Sequence, residues 1–257
     1  MLLDCETVGE EKFRVEASPK WVRVMFGGRY IADSRRVILL YAQRPPFPTY
    51  YFPIVDVHAE HLTPTDYTKV SDLGIARYWS VKVGDRTAEN AAWSYPTYTL
   101  NGLNLGEYMA FDWDKMDAWF EEAEEVYAHA HDPHHRIDTL YGSTHVEVVV
   151  EGEKVADSHS PVVLFETGLP TRYYLPKTDL RMDLLVPSDS TTRCAYKGTA
   201  NYYSVKAGAQ IVQDVAWYYR FTTTETSKIA GRIAFYNERV DLYLDGVKQE
   251  RPKSHWS

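Results

Sequence analysis

The sequence predicts an all-β protein made of two tandem copies of one domain, and two observations lead to this prediction. Short runs that alternate apolar and polar residues recur about every ten residues, separated by Pro, Gly and Ser-Asp punctuation, which is typical of compact β domains. The second half of the chain also restates the first, with an offset of 124 residues between Asp33 and Asp157. A nearly constant offset of this kind indicates a duplication.

The duplication is visible in six pairs of segments. They are IADSRRVILLY (31–41) and VADSHSPVVLF (155–165), YYFPIVDV (50–57) and YYLPKTDL (173–180), LTPTD (62–66) and LVPSD (185–189), GIARYWSVKVG (74–84) and GTANYYSVKAG (198–208), NAAWSY (90–95) and DVAWYY (214–219), and MAFDWDKMDAWF (109–120) and IAFYNERVDLYL (233–244). One residue is lost after Tyr41 and one is regained just before Gly198.

Two dipeptides predict tight hairpin turns within the copies. Gly27-Gly28 lies between WVRVMF and RYIADS, and Asp245-Gly246 lies between VDLYL and VKQ. Strand alternation then places one set of side chains on the inner face of each copy. That set is Val22, Val24 and Phe26 in the first copy and Val146, Val148 and Val150 in the second.

The boundaries follow from the repeat. We expect an N-terminal extension (1–20), a first repeat (21–120), a connector (121–142), a second repeat (143–250) and a C-terminal tail (251–257). The acidic run WFEEAEEVYAHAHDPHHRID (119–138) lies at the junction and is weakly helical in composition, which favours its interpretation as the connector.

Composition argues against several classes of partner. The net charge of −8 disfavours nucleic-acid binding, which needs a basic face. Acidic residues begin at Asp4, and no window approaches the roughly 20 apolar residues of a membrane span, so we expect a cytoplasmic protein without a membrane segment. Cys5 and Cys194 are too few for a disulfide framework or an all-cysteine zinc site, and both should be reduced.

The repeat segments resemble the family of the domain of unknown function 427, DUF427, in tandem form. The resemblance runs from Trp21 to Asp245 and is carried above all by YYLPKTDLRMDLLVPSD, TTRCAYKGTANYYSV and AFYNERVDLYLDG. The family's cysteine-x-tyrosine-lysine-glycine element is kept as Cys194, Tyr196, Lys197 and Gly198, whereas its usual proline after the cysteine is Ala195 here, which makes the turn less rigid.

The resemblance implies a β-tent fold, in which two antiparallel sheets lean together at an apex, similar to the ligand-binding domain of cereblon and to methionine sulfoxide reductase B. Many of those relatives hold zinc with four cysteines, which this chain lacks. The family also carries a nucleotidyltransferase-like name. No Gly-Ser followed by paired aspartates supports that chemistry, and the Asp112-x-Asp114 pair becomes Tyr236 and Glu238 in the second copy.

The copies differ at the family's characteristic turn. TTRCAYKG in the second copy corresponds to YTKVSDLG in the first, where the glycine persists as Gly74 but the cysteine, tyrosine and lysine do not. Because the turn forms without them, Tyr196 and Lys197 are candidate functional residues, and the second copy is predicted to carry the site. Lys197 is interpreted either as an anion or carbonyl clamp, or a base if buried, or as a solvated surface lysine.

Other candidates have two interpretations each. Trp217, which matches Trp93, is either a pocket wall or a core tryptophan, and Cys194 is a thiolate nucleophile or, as we favour, a small buried hydrophobe. Arg181 and Asp183 are expected on one strand face, either beside the pocket or in solvent, where the first copy has His58 and Glu60.

The histidines of HAHDPHH suggest a metal site. His129, His131, His134 and His135 lie in the connector without a carboxylate or cysteine frame at zinc spacing, so a solvated linker is favoured and metal binding is left open. No metal site is therefore predicted, and no common cofactor signature is present in the sequence.

The resulting hypothesis is a small-molecule-binding protein, with enzymatic activity left open and Lys197 and Tyr196 as catalytic candidates. Its predicted ligand-binding residues are Tyr196, Lys197, Gly198, Trp217, Arg181, Asp183 and Tyr173. The alternative is a non-catalytic protein-interaction or scaffold module. In either case the duplicated chain is expected to be a monomer that acts as a covalent pseudo-dimer, with further homo-oligomerisation left open.

Overall fold

The computed structural model describes residues 13–42, 47–100 and 102–254. The chain divides between Asp132 and Pro133 into two compact units. Each unit is formed of β-strands joined by turns and short 3-10 segments, so the all-β tandem prediction is confirmed. None of the helical segments in the described ranges has the length and hydropathy of a membrane span.

The first unit contains thirteen strands within its described residues. They are β1 (Phe13–Ala17), β2 (Val22–Phe26), β3 (Arg29–Ser34), β4 (Ile38–Ala42), β5 (Thr49–Pro53), β6 (Leu62–Ser71), β7 (Gly74–Val83), β8 (Arg86–Ser94), β9 (Thr99–Leu100), β10 (Leu103–Asn104), β11 (Tyr108–Phe111), β12 (Ala118–Glu121) and β13 (Glu124–Val126). Its 3-10 segments are Ile54–Asp56, Ala59–His61, Leu105–Glu107 and Trp113–Lys115.

Most of these strands form two antiparallel sheets. A seven-stranded sheet has the order β1-β4-β5-β11-β8-β7-β6, and a four-stranded sheet has the order β13-β12-β2-β3. The short strands β9 and β10 pair only with each other among the described residues.

The second unit repeats this plan. Its strands are β14 (Ile137–Tyr141), β15 (Val146–Val150), β16 (Glu153–Ser158), β17 (Val162–Glu166), β18 (Arg172–Tyr174), β19 (Leu185–Cys194), β20 (Gly198–Ala207), β21 (Gln210–Tyr219), β22 (Ile233–Phe235), β23 (Asp241–Leu244) and β24 (Val247–Lys248). Its 3-10 segments are Lys177–Asp179, Met182–Leu184 and Thr224–Ile229.

Two sheets of the second unit are joined by a pair of backbone hydrogen bonds. The amide of Leu175 donates to the carbonyl of Ile233 at 2.8 Å, and the amide of Ile233 donates back at 2.9 Å. This bridge links the order β14-β17-β18 to β22-β21-β20-β19, which reproduces the seven-stranded sheet of the first unit. The four-stranded partner has the order β16-β15-β23-β24.

Apolar side chains pack on both faces of each large sheet. One core joins the large sheet to the four-stranded sheet, and it includes Val22 and Val24 in the first unit and Val146 and Val148 in the second. All six side chains predicted to face inward are at most 4% exposed. A second cluster covers the opposite face, around Tyr51 in the first unit and Tyr174 in the second. Trp93 and Trp217 lie on this second face.

Both predicted hairpin turns form. Gly27 and Gly28 have φ values of +58° and +74°, and Asp245 and Gly246 have +48° and +79°, the left-handed conformations that two-residue hairpins require. The weakly helical connector predicted for residues 119–138 is wrong in its first part. Strands β12 and β13 occupy it and extend the four-stranded sheet of the first unit, because the apolar residues Trp119 and Val126 pair across the hairpin and face the core.

Candidate functional site

A cavity of about 990 Å³ opens in the first unit. It is lined by aromatic rings and by a few charged groups. The lining residues that bear on its chemistry are Thr49, Tyr78, Trp93, Asp112, Lys115 and Lys69. A volume of this size accommodates a small organic ligand, and a mixed aromatic and polar lining is usual for such sites.

The wall of the cavity is fixed by Trp93. This residue lies on β8, directly opposite Tyr78 on β7 and Ala110 on β11. Its indole Nε1–H donates to the Tyr51 hydroxyl at 3.1 Å, and the two rings meet edge-on with centroids 6.5 Å apart. Burial raises the pKa of Tyr51 well above its usual range, so that hydroxyl stays protonated. The hydrogen bond and the edge contact with Tyr51 therefore hold the Trp93 ring in one orientation.

Two further aromatic arrangements border the cavity. Tyr67 and Tyr78 meet edge-to-face at 4.8 Å, and Trp113 stacks on Trp119 at 4.4 Å with an angle of 2° between the ring planes. Burial, followed by the charges of neighbouring groups, raises the pKa of Tyr78. Three of these rings, Tyr67, Tyr78 and Trp113, are at least partly accessible and provide flat apolar surfaces for a ligand, whereas Trp119 is buried.

The polar residues of the cavity are positioned by the backbone. The Lys115 Nζ donates to the carbonyls of Glu89 at 2.9 Å and Asn90 at 3.3 Å, and it lies 3.6 Å from Asp112 Oδ2. Asp112 Oδ1 also accepts from the Asp114 amide at 3.2 Å, which begins the 3-10 segment. Lys69 is exposed on β6, the outermost strand of the sheet.

The predicted turn of the second unit holds a buried ion pair. Lys197 pairs with Glu166 on β17, and their side chains are 11% and 5% exposed. The other oxygen of Glu166 lies 3.1 Å from His135 Nε2, and the His135 ring stacks on Tyr196 at 4.2 Å. Sequence reasoning missed Glu166, whose role is visible only once β14, β17 and the turn are folded together.

Gly198 follows this turn with a φ of +99°. A Cβ atom there would lie 2.9 Å from the carbonyl oxygen of Phe221, so the position requires glycine for both conformation and space. Gly74 shares the positive φ, at +95°, which explains why the glycine persists when its neighbours change.

Trp217 lies in the region of the second unit that corresponds to the cavity, and in this unit side chains fill the space. Its Nε1–H donates to the Tyr174 hydroxyl at 3.0 Å, as Trp93 donates to Tyr51, but Trp217 is only 7% exposed. Arg172 lies above it with its guanidinium carbon 5.4 Å from the ring centroid, and forms two 2.7 Å hydrogen bonds with Glu238. Tyr236 completes the cluster at 4.5 Å from Trp217.

Strand register identifies the residues of the first unit that replace this cluster. Arg172 pairs with Leu164 as Thr49 pairs with Leu40, and Trp217 pairs with Ala234 as Trp93 pairs with Ala110. The aligned segments give two further counterparts: Asp112 occupies the position of Tyr236, and Asp114 occupies the position of Glu238. Smaller side chains at these positions leave the space that the second unit fills.

Both members of the Lys197–Glu166 ion pair are replaced by apolar residues in the first unit. Leu73, which is 5% exposed, takes the place of Lys197, and Ala42 takes the place of Glu166. Two residues separate the paired Ser71 and Gly74 in the first unit, whereas three separate Cys194 and Gly198 in the second. Ser71 and Leu73 line the cavity of the first unit, so the turn that the sequence singled out does border this part of the fold.

Three predicted site residues lie elsewhere. The expectation that Arg181 and Asp183 share a strand face is wrong, because they lie in and beside a 3-10 segment, pair with each other at 2.7 Å and have side chains 58% and 61% exposed. The Arg181 amide donates to Val155 on β16, in the four-stranded sheet. Tyr173 packs on the core between the two sheets, and strand alternation places Tyr174 beside Trp217 instead.

Cys194 is half-buried at the end of β19 as a free thiol. Burial is the main cause that raises the pKa of Tyr174 and Tyr219, and the nearby Cys194 sulfur adds to both shifts. Cys5 lies outside the described residues.

The histidines of HAHDPHH have separate contacts. His129 stacks on Phe47 at 4.2 Å, His131 Nδ1 lies 2.8 Å from Glu121, and His135 contacts Glu166. His134 is exposed. In the described part of the chain, the group whose ligand atoms lie within 4.8 Å of one another is a different one, His145, Asp157 and His159.

The equivalent positions of the first unit keep the carboxylate of this group and lack both histidines. His145 stacks on His159 at 4.1 Å and lies 2.7 Å from Asp157 Oδ1. In the first unit, Trp21 donates to Asp33 Oδ1 at 2.6 Å and packs under Arg35 at 4.5 Å, at the equivalent positions. The arrangement therefore belongs to the fold, and Lys154 already pairs with Asp157 at 2.6 Å.

The chain belongs to the family described as domain of unknown function (DUF427). The family matches residues 14–122 and again residues 138–246, one match within each unit. This confirms the family and the tandem arrangement that the sequence predicted. No curated protein matches the sequence.

Proposed function

We propose that the first unit of this tandem DUF427 protein binds a small organic molecule in the cavity beside Trp93, and that the second unit is its filled structural counterpart. The proposal keeps the small-molecule function predicted from the sequence and moves the site to the other repeat. It places the protein in the cytoplasm, where a free Cys194 thiol stays reduced.

The observation that carries the proposal is the difference in burial between equivalent aromatic residues. Trp93 and Tyr78 are half-buried and line a cavity, whereas Trp217 and Tyr202 are 7% and 8% exposed. Since both tryptophans donate to an equivalent tyrosine, the fold alone does not explain why one is left accessible. An accessible aromatic wall with a few fixed polar groups is what a small-molecule site provides.

The proposal is tested by a thermal-shift screen of metabolite mixtures on the full chain. A ligand that binds only the folded protein at about 100 times its Kd stabilises it by about 2.7 kcal/mol. Hits should raise the Tm of the wild type and of Lys197→Met relative to each protein alone. They should not raise the Tm of Thr49→Arg, which installs the filling side chain of the second unit.

Three results would contradict the proposal. Hits retained by Thr49→Arg and lost by Lys197→Met would place the site in the second unit. Hits that stabilise every variant equally, including the exposed control Arg181→Ala, would place it outside both positions. A screen without hits would favour the scaffold alternative.

A further inference from the structure

The second unit shows which chemical group the pocket beside the tryptophan accepts. The Arg172 guanidinium lies 5.4 Å from the Trp217 ring and 5.7 Å from the Tyr236 ring, with two hydrogen bonds to Glu238. Arg172 and Glu238 are 5% and 7% exposed. A planar cation placed between aromatic faces and a carboxylate is stabilised by both, most strongly where water is excluded.

The first unit keeps most of this environment and omits the cation. Trp93 has the same hydrogen bond as Trp217, and Asp112, which lines the cavity 3.6 Å from Lys115, supplies a carboxylate at the position of Tyr236. Asp114, at the position of Glu238, is exposed. Thr49 replaces Arg172 and lines the cavity. The space that Arg172 occupies in the second unit is therefore part of the open cavity in the first.

The cation Lys115, which lines the cavity, does not exclude a cationic ligand. Lys115 is anchored to the carbonyls of Glu89 and Asn90, and its counterpart Arg239 is anchored in the same way to Gln213 at 2.7 Å and Asp214 at 3.2 Å. Arg239 coexists with Arg172 in the second unit. A fixed cation at this position thus does not prevent the pocket from holding another.

We infer that the cavity of the first unit binds the cationic group of its ligand, a guanidinium or an alkylammonium, against Trp93, with Asp112 as the counter-charge. This inference rests on the proposed small-molecule function and specifies the class of ligand. In this view Arg172 is a covalently attached equivalent of that ligand in the second unit.

The test compares two probes of the same shape and different charge. N-butylguanidine and N-butylurea are planar and nearly isosteric, but only the first is cationic. Isothermal titration of the full-length wild type should show binding of butylguanidine at least about tenfold tighter than binding of butylurea, because the cation–π and charge-assisted contacts are lost in the urea. Asp112→Asn should reduce this preference, and Thr49→Arg should abolish binding.

A second experiment uses the second unit, in which Arg172 supplies the cationic group. The double variant Arg172→Thr/Glu238→Asp gives the second unit the residues of the first at these two positions and keeps the Tyr236 ring, and butylguanidine should raise its Tm more than that of the wild type. If both variants prove unstable, the guanidine-to-urea comparison on the wild type still decides the charge preference.

The outcomes separate this inference from the proposed function. Equal affinity for the two probes, or a neutral or anionic metabolite whose binding is lost in Thr49→Arg, would overturn the cationic preference while leaving the binding cavity in place. If metabolites of every charge class bind Thr49→Arg as well as the wild type, the proposed function fails and this inference fails with it.

Discussion

In the first unit Thr49 and Asp112 border an open cavity beside Trp93, whereas in the second Arg172 and Tyr236 fill the corresponding space beside Trp217. The two tryptophans have the same hydrogen bond to a buried tyrosine, at 3.1 Å and 3.0 Å. The shared residues hold the sheet together, and the residues that differ determine whether a space remains. Matched substitutions in the two units can therefore separate the effects of fold and site.

The largest effect is expected from Arg172→Met. Removal of the guanidinium leaves the buried Glu238 carboxylate without its main partner, which should lower the free energy of unfolding by about 3–5 kcal/mol. Urea denaturation measures this change. Thr49→Ala in the first unit is the matched control and should change stability by less than about 1 kcal/mol. A small effect of Arg172→Met would show that the ion pair is not needed to fill the second unit.

Lys197→Met should destabilise the second unit by about 3 kcal/mol, because it leaves Glu166 buried. If the amine served only a ligand, as one interpretation of the sequence has it, the substitution would change the Tm little. Adding Glu166→Ala should recover much of the loss by imitating the apolar pair Leu73 and Ala42 of the first unit. If the double variant did not recover stability, the apolar replacements at positions 166 and 197 would not compensate for each other.

Glu121 should make the first unit sensitive to acid. Burial would raise the pKa of its carboxyl, but hydrogen bonds from His131, Lys20 and Tyr50 outweigh burial and lower it to about 2. Because the folded pKa lies below the usual value of 4.5, the stabilisation is present above that pH and is lost as the pH falls toward 2.

Glu121→Gln should therefore lower stability by about 2–3 kcal/mol at neutral pH, with the difference from the wild type vanishing near pH 2. Denaturation measured over this pH range provides the test. Strand pairing puts Leu244 at the equivalent position of the second unit, so Leu244→Met serves as a control without pH dependence. A pH-independent loss in Glu121→Gln would point to packing as its cause.

The tryptophan pair gives a smaller contrast. Trp217→Phe should destabilise the chain by about 1–2 kcal/mol, since it removes a buried indole and the hydrogen bond to Tyr174. Trp93→Phe should have a smaller effect because the cavity already leaves that ring accessible, and near-ultraviolet circular dichroism with denaturant titration can compare the two. Equal losses would argue that the cavity is closed in solution.

The smallest effect is expected from Arg181→Ala. Its partner Asp183 is equally exposed, and an ion pair that is open to solvent on both sides contributes little to stability. Neither stability nor ligand binding should change. A loss of binding in this variant would restore Arg181 as a site residue and conflict with the location proposed for the cavity.

Local sequence patterns were sufficient for the fold. The alternation of Val22, Val24 and Phe26, the glycine-containing turns and the regular offset between copies each depend on residues close in the chain or on direct comparison of its halves. The same comparison located the turn at Gly74 and Gly198 and showed that its side chains differ. It also assigned the acidic run 119–138 to a connector, because that run lies between the two copies. Glu122-Ala123 lacks the glycine that marks many hairpins, so the hairpin of β12 and β13 left no local signal.

The sequence by itself thus determined the class, the duplication, the family and the positions at which the copies diverge. Only the tertiary structure decided which copy has an open cavity, because that depends on partners far apart in the chain. Arg172 meets Glu238 across 66 residues and Lys197 meets Glu166 across 31. A lysine or arginine in a sequence carries no sign of whether its charge is exposed to a ligand or neutralised by a distant carboxylate, and the packing of the sheets settles that question.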